Sequence, residues 1–240
     1  MLLNAAMSDA LDRIADRAAD VRRAFTPGAQ PRNDDVAGAG DRFDFTLDPL
    51  SVAPPEHAYF ITLDRFGRTA YTRDGTLAVV GGRVVDSQGM PVLGRRAPGE
   101  PLAELRVDDV DAALGRASNV RIEADGTVAY SREAIDPRTG KHVNANVIAG
   151  RIGLARFPAA TRLDSADGRS FAAPPGVAPH TGFAGDGTFE TLVPNRRTHS
   201  RVDLDLSLRR LKEAYTAFDA LAAAQAAKGR LDKAAMDVVK

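Results

Sequence analysis

Apolar residues near the amino terminus recur at alternating intervals of four and three positions, with charged or small residues between them. This spacing is typical of a coiled-coil seam and predicts a helix over residues 1–25. The seam residues of this helix are Met7, Leu11, Ile14, Ala18, Val21 and Phe25.

A second stripe with the same spacing from Leu204 to Phe218, and a shorter step to Leu221, lies near the carboxyl terminus and predicts a helix over residues 196–240. Isolated helices are marginal in water, because most helical stability comes from packing of the apolar face. The two stripes therefore need cover, either from each other or from copies in a neighbouring subunit. The seam residues of the second helix are Leu204, Leu208, Leu211, Tyr215, Phe218 and Leu221.

The central residues 42–195 follow a different pattern, in which short apolar runs are separated by turn residues. Asp-Gly and Gly-Gly pairs supply the positive φ angles of tight turns, so residues 70–86 and 120–130 predict consecutive antiparallel hairpins. Alternation over residues 151–157 predicts a further strand, and the prolines and glycines of residues 26–41 indicate a linker. The predicted fold class is mainly β: an antiparallel domain of hairpins flanked by N- and C-terminal coiled-coil-like helices.

Composition narrows the possible partners. The 240 residues include 32 basic and 32 acidic side chains, so no net field draws the chain onto nucleic acid or an anionic membrane. Charged residues from Asp9 to Asp16 interrupt the place where a cleaved signal peptide needs an apolar stretch of roughly 7–15 residues. No window approaches the roughly 18 uncharged apolar residues of a membrane span. We therefore expect a soluble protein without a cleaved signal and without membrane insertion.

Few residues lie in sequence patterns that indicate catalysis or metal binding. The absence of cysteine excludes disulfides and thiol catalysis, and no serine lies in a nucleophile elbow. Three acidic residues in "VDDVDAAL" are expected to cap a turn or short helix, and the basic group near residue 196 is expected to form a solvated face or to meet an acidic patch on a neighbour. We expect no catalytic residue, cofactor, metal or small-molecule substrate, and no enzyme. The side chains considered are His57, His142, His180, His199, Asp108, Asp109, Asp111, Arg196, Arg197 and Arg201.

The stretch "RTAYTRDGTLAVVGGRVVDSQGMPVLG", residues 68–94, resembles the signature segment of the flagellar basal-body rod and hook proteins. Order and spacing also match the short rod proteins downstream, so the resemblance covers residues 56–240. The amino-terminal region departs from the family pattern, and only its helix corresponds. The signature residues are Tyr71, Thr72, Arg73, Asp74, Gly75, Gly89, Pro91, Val92, Leu93 and Gly94.

The resemblance implies a structural subunit of the bacterial flagellar rod that assembles axially through its terminal helices. It further implies other rod subunits as partners, of the same and of different kinds, and export through the flagellar apparatus to the periplasmic rod without a cleaved signal peptide. The alternative is a secreted or periplasmic β-rich binding module, with its helices packed on its own sheet, that recognises a carbohydrate or a protein. An enzyme ranks third.

Overall fold

The computed structural model has a mainly antiparallel β architecture with one helix at each end, as the sequence predicts. Residues 30–41 of the predicted linker, the carboxylates Asp108, Asp109 and Asp111, and Arg201 lie outside the described residues. The structure describes residues 2–29, 43–107, 118–135, 138, 140–159, 161, 163, 169–200 and 202–238, but not the side chains of 2, 134, 232 and 234–238.

The chain forms two compact units. The first contains Met1–Phe25, Ala29–Ala39 and Ser200–Lys240, and the second contains Thr26–Gly28 and Gly40–His199. The first unit is helical and the second holds the strands. In the described part of the chain, no helix has the length and apolarity needed to cross a bilayer.

The helical unit consists of α1 (Leu2–Arg23) and α2 (Leu204–Val238), packed against each other. The pair is antiparallel, because the Gln225 amide lies 3.4 Å from the Asn4 side-chain oxygen at one end. At the other end, the Ser200 hydroxyl donates to the Arg23 carbonyl at 2.8 Å. The side chain of Asp203 caps α2 by accepting the Leu206 N–H at 3.0 Å.

The β unit contains fourteen strands among its described residues, and one of them, β11, runs through the centre of the largest sheet. This eight-stranded sheet has the order β4-β3-β11-β10-β9, with β7 and β12 joined to β11 and β8 joined to β7. The strands are β1 Phe43–Phe45, β2 Val52–Ala53, β3 Ala58–Leu63, β4 Thr69–Thr72, β5 Ala78–Val80, β6 Arg83–Val85, β7 Leu93–Arg95, β8 Ala103–Glu104, β9 Ser118–Ile122, β10 Thr127–Ile135, β11 His142–Arg156, β12 His180–Phe183, β13 Val193–Pro194 and β14 Arg196–Thr198.

Apolar residues from most of these strands meet in one core. Phe60 on β3 and Leu154 on β11 lie opposite each other on neighbouring strands, and both are fully buried. Burial of such side chains is worth about 1.5–3 kcal/mol each, so this core is the main source of stability for the β unit. Other large members are Val52, Leu77, Val84, Val92, Leu105, Val107, Ile122, Val128, Tyr130, Ile152, Phe189 and Leu192.

Two of the predicted hairpins are confirmed and one turn is wrong. Gly81 and Gly82, with φ of 57° and 74°, join β5 to β6, and Gly126, with φ of 83°, lies in the turn between β9 and β10. The Asp74-Gly75 turn does not join two paired strands, because β4 pairs with β3 while β5 pairs with β6. A different constraint, described below, requires glycine at position 75.

Candidate functional site

The signature arginine, Arg73, lies inside the β unit with only 2% of its surface exposed. Its Nη1 donates to the carbonyls of Ala58 at 2.6 Å and Pro55 at 3.3 Å, and its guanidinium carbon lies 5.6 Å from the centre of the Tyr59 ring. A buried charge is tolerated only when such hydrogen bonds replace those to water. Arg73 therefore fixes the chain ahead of β3.

The neighbouring Asp74 joins two parts of the signature segment. Its carboxylate accepts the Thr76 N–H at 3.0 Å and the Ser87 hydroxyl at 2.5 Å. Its own N–H donates to the Thr72 hydroxyl oxygen at 3.0 Å, and that hydroxyl donates to the Arg169 carbonyl at 3.1 Å. The side chains after β4 are thereby linked to the loop that follows β6.

Two signature glycines are required by close approach of other backbone segments. A Cβ on Gly75 would lie 1.5 Å from the Val52 carbonyl oxygen, and one on Gly94 would lie 2.2 Å from the Arg151 carbonyl oxygen. The Val52 N–H also donates to the Gly75 carbonyl at 2.9 Å. Neither glycine has a positive φ, so the constraint is space rather than backbone conformation.

A loop with the pattern Asp-x-x-Gly-x occurs twice with the same hydrogen bonds, at residues 64–68 and 86–90. In both copies the Asp N–H donates to the carbonyl of the fifth residue, at 2.8 and 2.9 Å, and the Gly N–H donates to the Asp carbonyl at 2.9 Å. The carboxylates of Asp64 and Asp86 accept the N–H groups of the third and fifth residues. The hydrogen bond from the Arg68 backbone N–H is the main cause that lowers the pKa of Asp64.

The remaining signature residues are packing residues. Tyr71 is buried and meets Phe157 edge to face, with ring centres 4.8 Å apart. Val92 and Leu93 are also buried, and Pro91 forms a bridge with Val85. Together with Gly89, which turns the second loop with a φ of 78°, these residues make the signature a stable scaffold.

The tripeptide Asp-Gly-Thr occurs at residues 74–76, 125–127 and 186–188, and Arg151 on β11 links the last two of these turns. Its Nη2 donates to the Ala184 carbonyl at 2.6 Å and to the Asp125 carbonyl at 3.1 Å. Burial alone would raise the pKa of Asp125 and of Asp186, but backbone hydrogen bonds and the charge of Arg151 lower both. The sequence shows the repeat but not the arginine that links two of its copies.

On α1, the predicted seam divides into a covered and an exposed part. Ile14 is buried, as is Ala10, while Met7, Ala18 and Val21 are half-buried. Leu11 is 52% exposed, and Phe25, in the turn after the helix, is more exposed still. Packing against α2 therefore covers only part of the predicted stripe.

The seam on α2 divides in the same way. Leu204, Leu211, Phe218 and Leu221 are half-buried. Leu208 and Tyr215, one heptad apart, are 47% and 51% exposed.

The exposed seam residues Leu11, Leu208 and Tyr215 lie on the same side of the helix pair. On the opposite side of the pair, a groove of about 480 Å³ lies between the two helices. Successive residues of a helix are rotated by about 100°. The row along which α1 and α2 pack therefore lies between this groove and the side that carries Leu11, Leu208 and Tyr215. We call these three residues the apolar stripe. The groove is lined by Ala6, Asp9, Ala10, Arg13, Arg17, Arg210, Glu213, Ala214, Ala217 and Leu221.

Comparison with known proteins finds a match for the part of the β unit that runs from β3 into β10. The family model for the flagellar hook protein FlgE/F/G D1 domain matches residues 57–130. The matched range contains all ten signature residues, and over this range the resemblance to the rod and hook family is confirmed. No curated protein matches the chain. Among the described residues there is no group of three or more His, Cys, Asp or Glu side chains that could hold a metal ion.

Proposed function

Because residues 57–130 carry a D1 domain of the flagellar hook and rod proteins, we propose that the chain is a structural subunit of the basal-body rod. This family consists of structural components of the flagellum that assemble with other flagellar subunits. A subunit of this kind needs a stable scaffold and surfaces that bind its neighbours.

The apolar stripe is the observation that carries the proposal. Leu11, Leu208 and Tyr215 are each about half exposed, although α1 and α2 already pack against each other. Covering apolar surface contributes about 25 cal/mol per Å², so a neighbouring helix that covers the stripe would stabilise the assembly. The facing surface on that neighbour is expected to be apolar and helical, and to extend the two-helix pair into a larger coiled-coil-like bundle.

The β unit supports the proposal in a different way. Its signature residues form internal hydrogen bonds and packing contacts, of which those of Arg73 and Asp74 are buried. A β unit built in this way keeps its shape while the helices bind neighbours. The proposed location is the periplasmic part of the basal body, reached through the flagellar export apparatus without a cleaved signal peptide, and the proposed partners are rod subunits of the same and other kinds.

The proposal is tested by introducing charge into the stripe. Leu208→Asp combined with Tyr215→Asp should abolish swimming and the recovery of rods with attached hooks, because two carboxylates would lie in the apolar contact. Leu231→Asp is the matched control, since Leu231 is an exposed α2 residue whose rotation places it away from the stripe. Circular dichroism would verify that both variants keep their helices. Normal rods in the double variant would contradict the proposal.

A further inference from the structure

Strand β11 has an open edge along its amino-terminal half. Residues 142–151 pair with β10 on one edge. On the other edge, β7 pairs only at Arg151 and Ile152, and β3 pairs from Leu154 to Arg156. Among the described residues, no strand pairs with this second edge from residue 142 to 150.

This open edge lacks the features that usually prevent strands from associating. Residues 142–150, "HVNANVIAG", contain no Lys, Arg, Asp, Glu or Pro. Edge strands are commonly protected by such residues, because their unpaired N–H and C=O groups bind other strands. Ile148 is 64% exposed, and Val143 is also exposed, so part of the apolar surface of β11 is uncovered.

The sequence of the edge is symmetric about one residue. Residues 143–147 read Val-Asn-Ala-Asn-Val, which is the same in both directions around Ala145. An antiparallel pair of two such strands, related by a two-fold axis at Ala145, places Val143 opposite Val147 and Asn144 opposite Asn146. We propose that the open edge of β11 pairs with the same edge of a second copy of this chain.

The register of the β10–β11 hairpin shows which side chains would become neighbours on each face of the joined sheet, and both faces allow the pairing. On one face, Val147 lies beside the buried Tyr130, so Val143 of the second copy would extend an apolar row that begins in the core. On the other face, Asn144 lies beside Glu133, and Asn146 accepts a hydrogen bond from Arg121 at 3.3 Å.

Charge complementarity favours a second copy over an unrelated strand. Opposite-charge arrangements across neighbouring strands stabilise a sheet, and like charges directly opposite destabilise it. Pairing about Ala145 produces two rows in which Glu133 and Asn144 of one copy continue into Asn146 and Arg121 of the other. Each row has one negative and one positive end, and the two rows run in opposite directions. On the opposite face, Arg132 lies beside Ala145, so the two copies of Arg132 share one row and are separated by the two β11 strands.

The contact has a limited size and a closed geometry. Seven paired residues span about 23 Å, which gives less surface than the roughly 1,200–2,000 Å² of a stable interface. The dimer is therefore weak and concentration-dependent. A two-fold contact closes on itself, so it forms pairs and does not extend a filament. It is separate from the apolar stripe and does not rest on the proposed rod function.

Cysteine cross-linking of the full-length chain tests this inference, because the chain has no cysteine of its own. In Ala145→Cys, two cysteines would face each other with Cα atoms about 4.5–5.5 Å apart, within the range of a disulfide. In Val143→Cys, like residues would lie roughly 14 Å apart, beyond that range. We expect oxidation to give a covalent dimer with Ala145→Cys and little with Val143→Cys. Mixing Val143→Cys with Val147→Cys should restore the cross-link, since those two positions face each other.

A second measurement avoids oxidation. Sedimentation over a range of concentrations should show a monomer–dimer equilibrium, and Ala145→Lys should weaken it about tenfold or more because two lysines would meet on the axis. Ser118→Lys on the outer strand β9 is the control and should dimerise normally. Equal cross-linking at 143 and 145, a monomer at all concentrations, or cross-linking of residue 145 only to a different protein would each overturn the inference.

Discussion

The carbonyl oxygen of Val52 lies 1.5 Å from the position that a Cβ on Gly75 would occupy. Gly75→Ala should therefore force apart two backbone segments that are hydrogen-bonded to each other, and should lower the free energy of unfolding by more than about 3 kcal/mol. Urea denaturation of purified protein measures this loss. Gly67→Ala is the control: its Cβ would enter open space, so only the positive φ of 75° is strained, at about 1–2 kcal/mol. Equal losses in the two variants would contradict the close-approach explanation.

Substitution of a glycine on α2 by alanine should raise stability rather than lower it. Gly229 lies within the helix, and a Cβ there would meet no other atom within 4 Å. Gly229→Ala should stabilise α2 by about 1 kcal/mol, since glycine has the greater backbone freedom in the unfolded chain. Hydrogen exchange of the α2 amides measures this gain as slower exchange around residue 229. Faster exchange would show that the glycine has a structural role at this point.

Because the guanidinium of Arg73 is buried, we expect the stability of the protein to depend on the hydrogen bonds that this group donates. Arg73→Met keeps much of the side-chain volume but removes the donors to Pro55 and Ala58. We expect a loss of about 1.5–3 kcal/mol in the free energy of unfolding, the range for hydrogen bonds to charged groups. Exposed Arg196→Met is the control and should change stability little. An unaffected Arg73→Met protein would show that packing alone fixes this side chain.

Stability should fall in acid because several carboxylates accept hydrogen bonds only in the folded state. The pKa of each of Asp64, Asp125 and Asp186 is lowered from the ordinary value of 3.8. The unfolded chain therefore binds protons at higher pH than the folded chain. The contribution is fully present above the unfolded pKa and is lost as the pH falls through the folded one, which corresponds to a decline from about pH 5 downwards.

Asp186→Asn isolates one of these carboxylates. The amide oxygen keeps the N–H groups of Thr188 and Phe189, which both bond to Oδ1, while the Phe183 N–H loses its acceptor and the side chain no longer titrates. Urea midpoints measured at pH 7 and pH 4 should differ less in this variant than in the natural protein. Glu190→Gln serves as the control, because Glu190 is an exposed carboxylate. A pH response that is identical in all three proteins would contradict the assignment of Asp186.

The helices, the Gly81-Gly82 and Asp125-Gly126 turns and the last residues of β11, from 151 to 156, could be predicted because each is encoded by neighbouring residues. Apolar periodicity and turn chemistry act over a few positions, so a single sequence contains them. The role of Gly75 could not be found in this way. It depends on Val52, which is distant in sequence and is brought close only by the completed fold.

The helix seams show the same limit. The heptad pattern gives Leu11 and Ile14 the same weight, but α2 covers Ile14 and leaves Leu11 exposed. Which side of a stripe is covered within the chain depends on the direction and rotation of the second helix, and these are set by packing rather than by local sequence.

The most direct measurement of the proposed assembly is photo-cross-linking from the apolar stripe in living, motile cells. A benzophenone amino acid in place of Tyr215 should form covalent products with other flagellar rod subunits after irradiation, because the ring at this position would lie in the contact. The same amino acid in place of Leu231, which is exposed on another side of α2, should give no such products. Rod-subunit products from position 231 and none from position 215 would contradict assembly through the stripe.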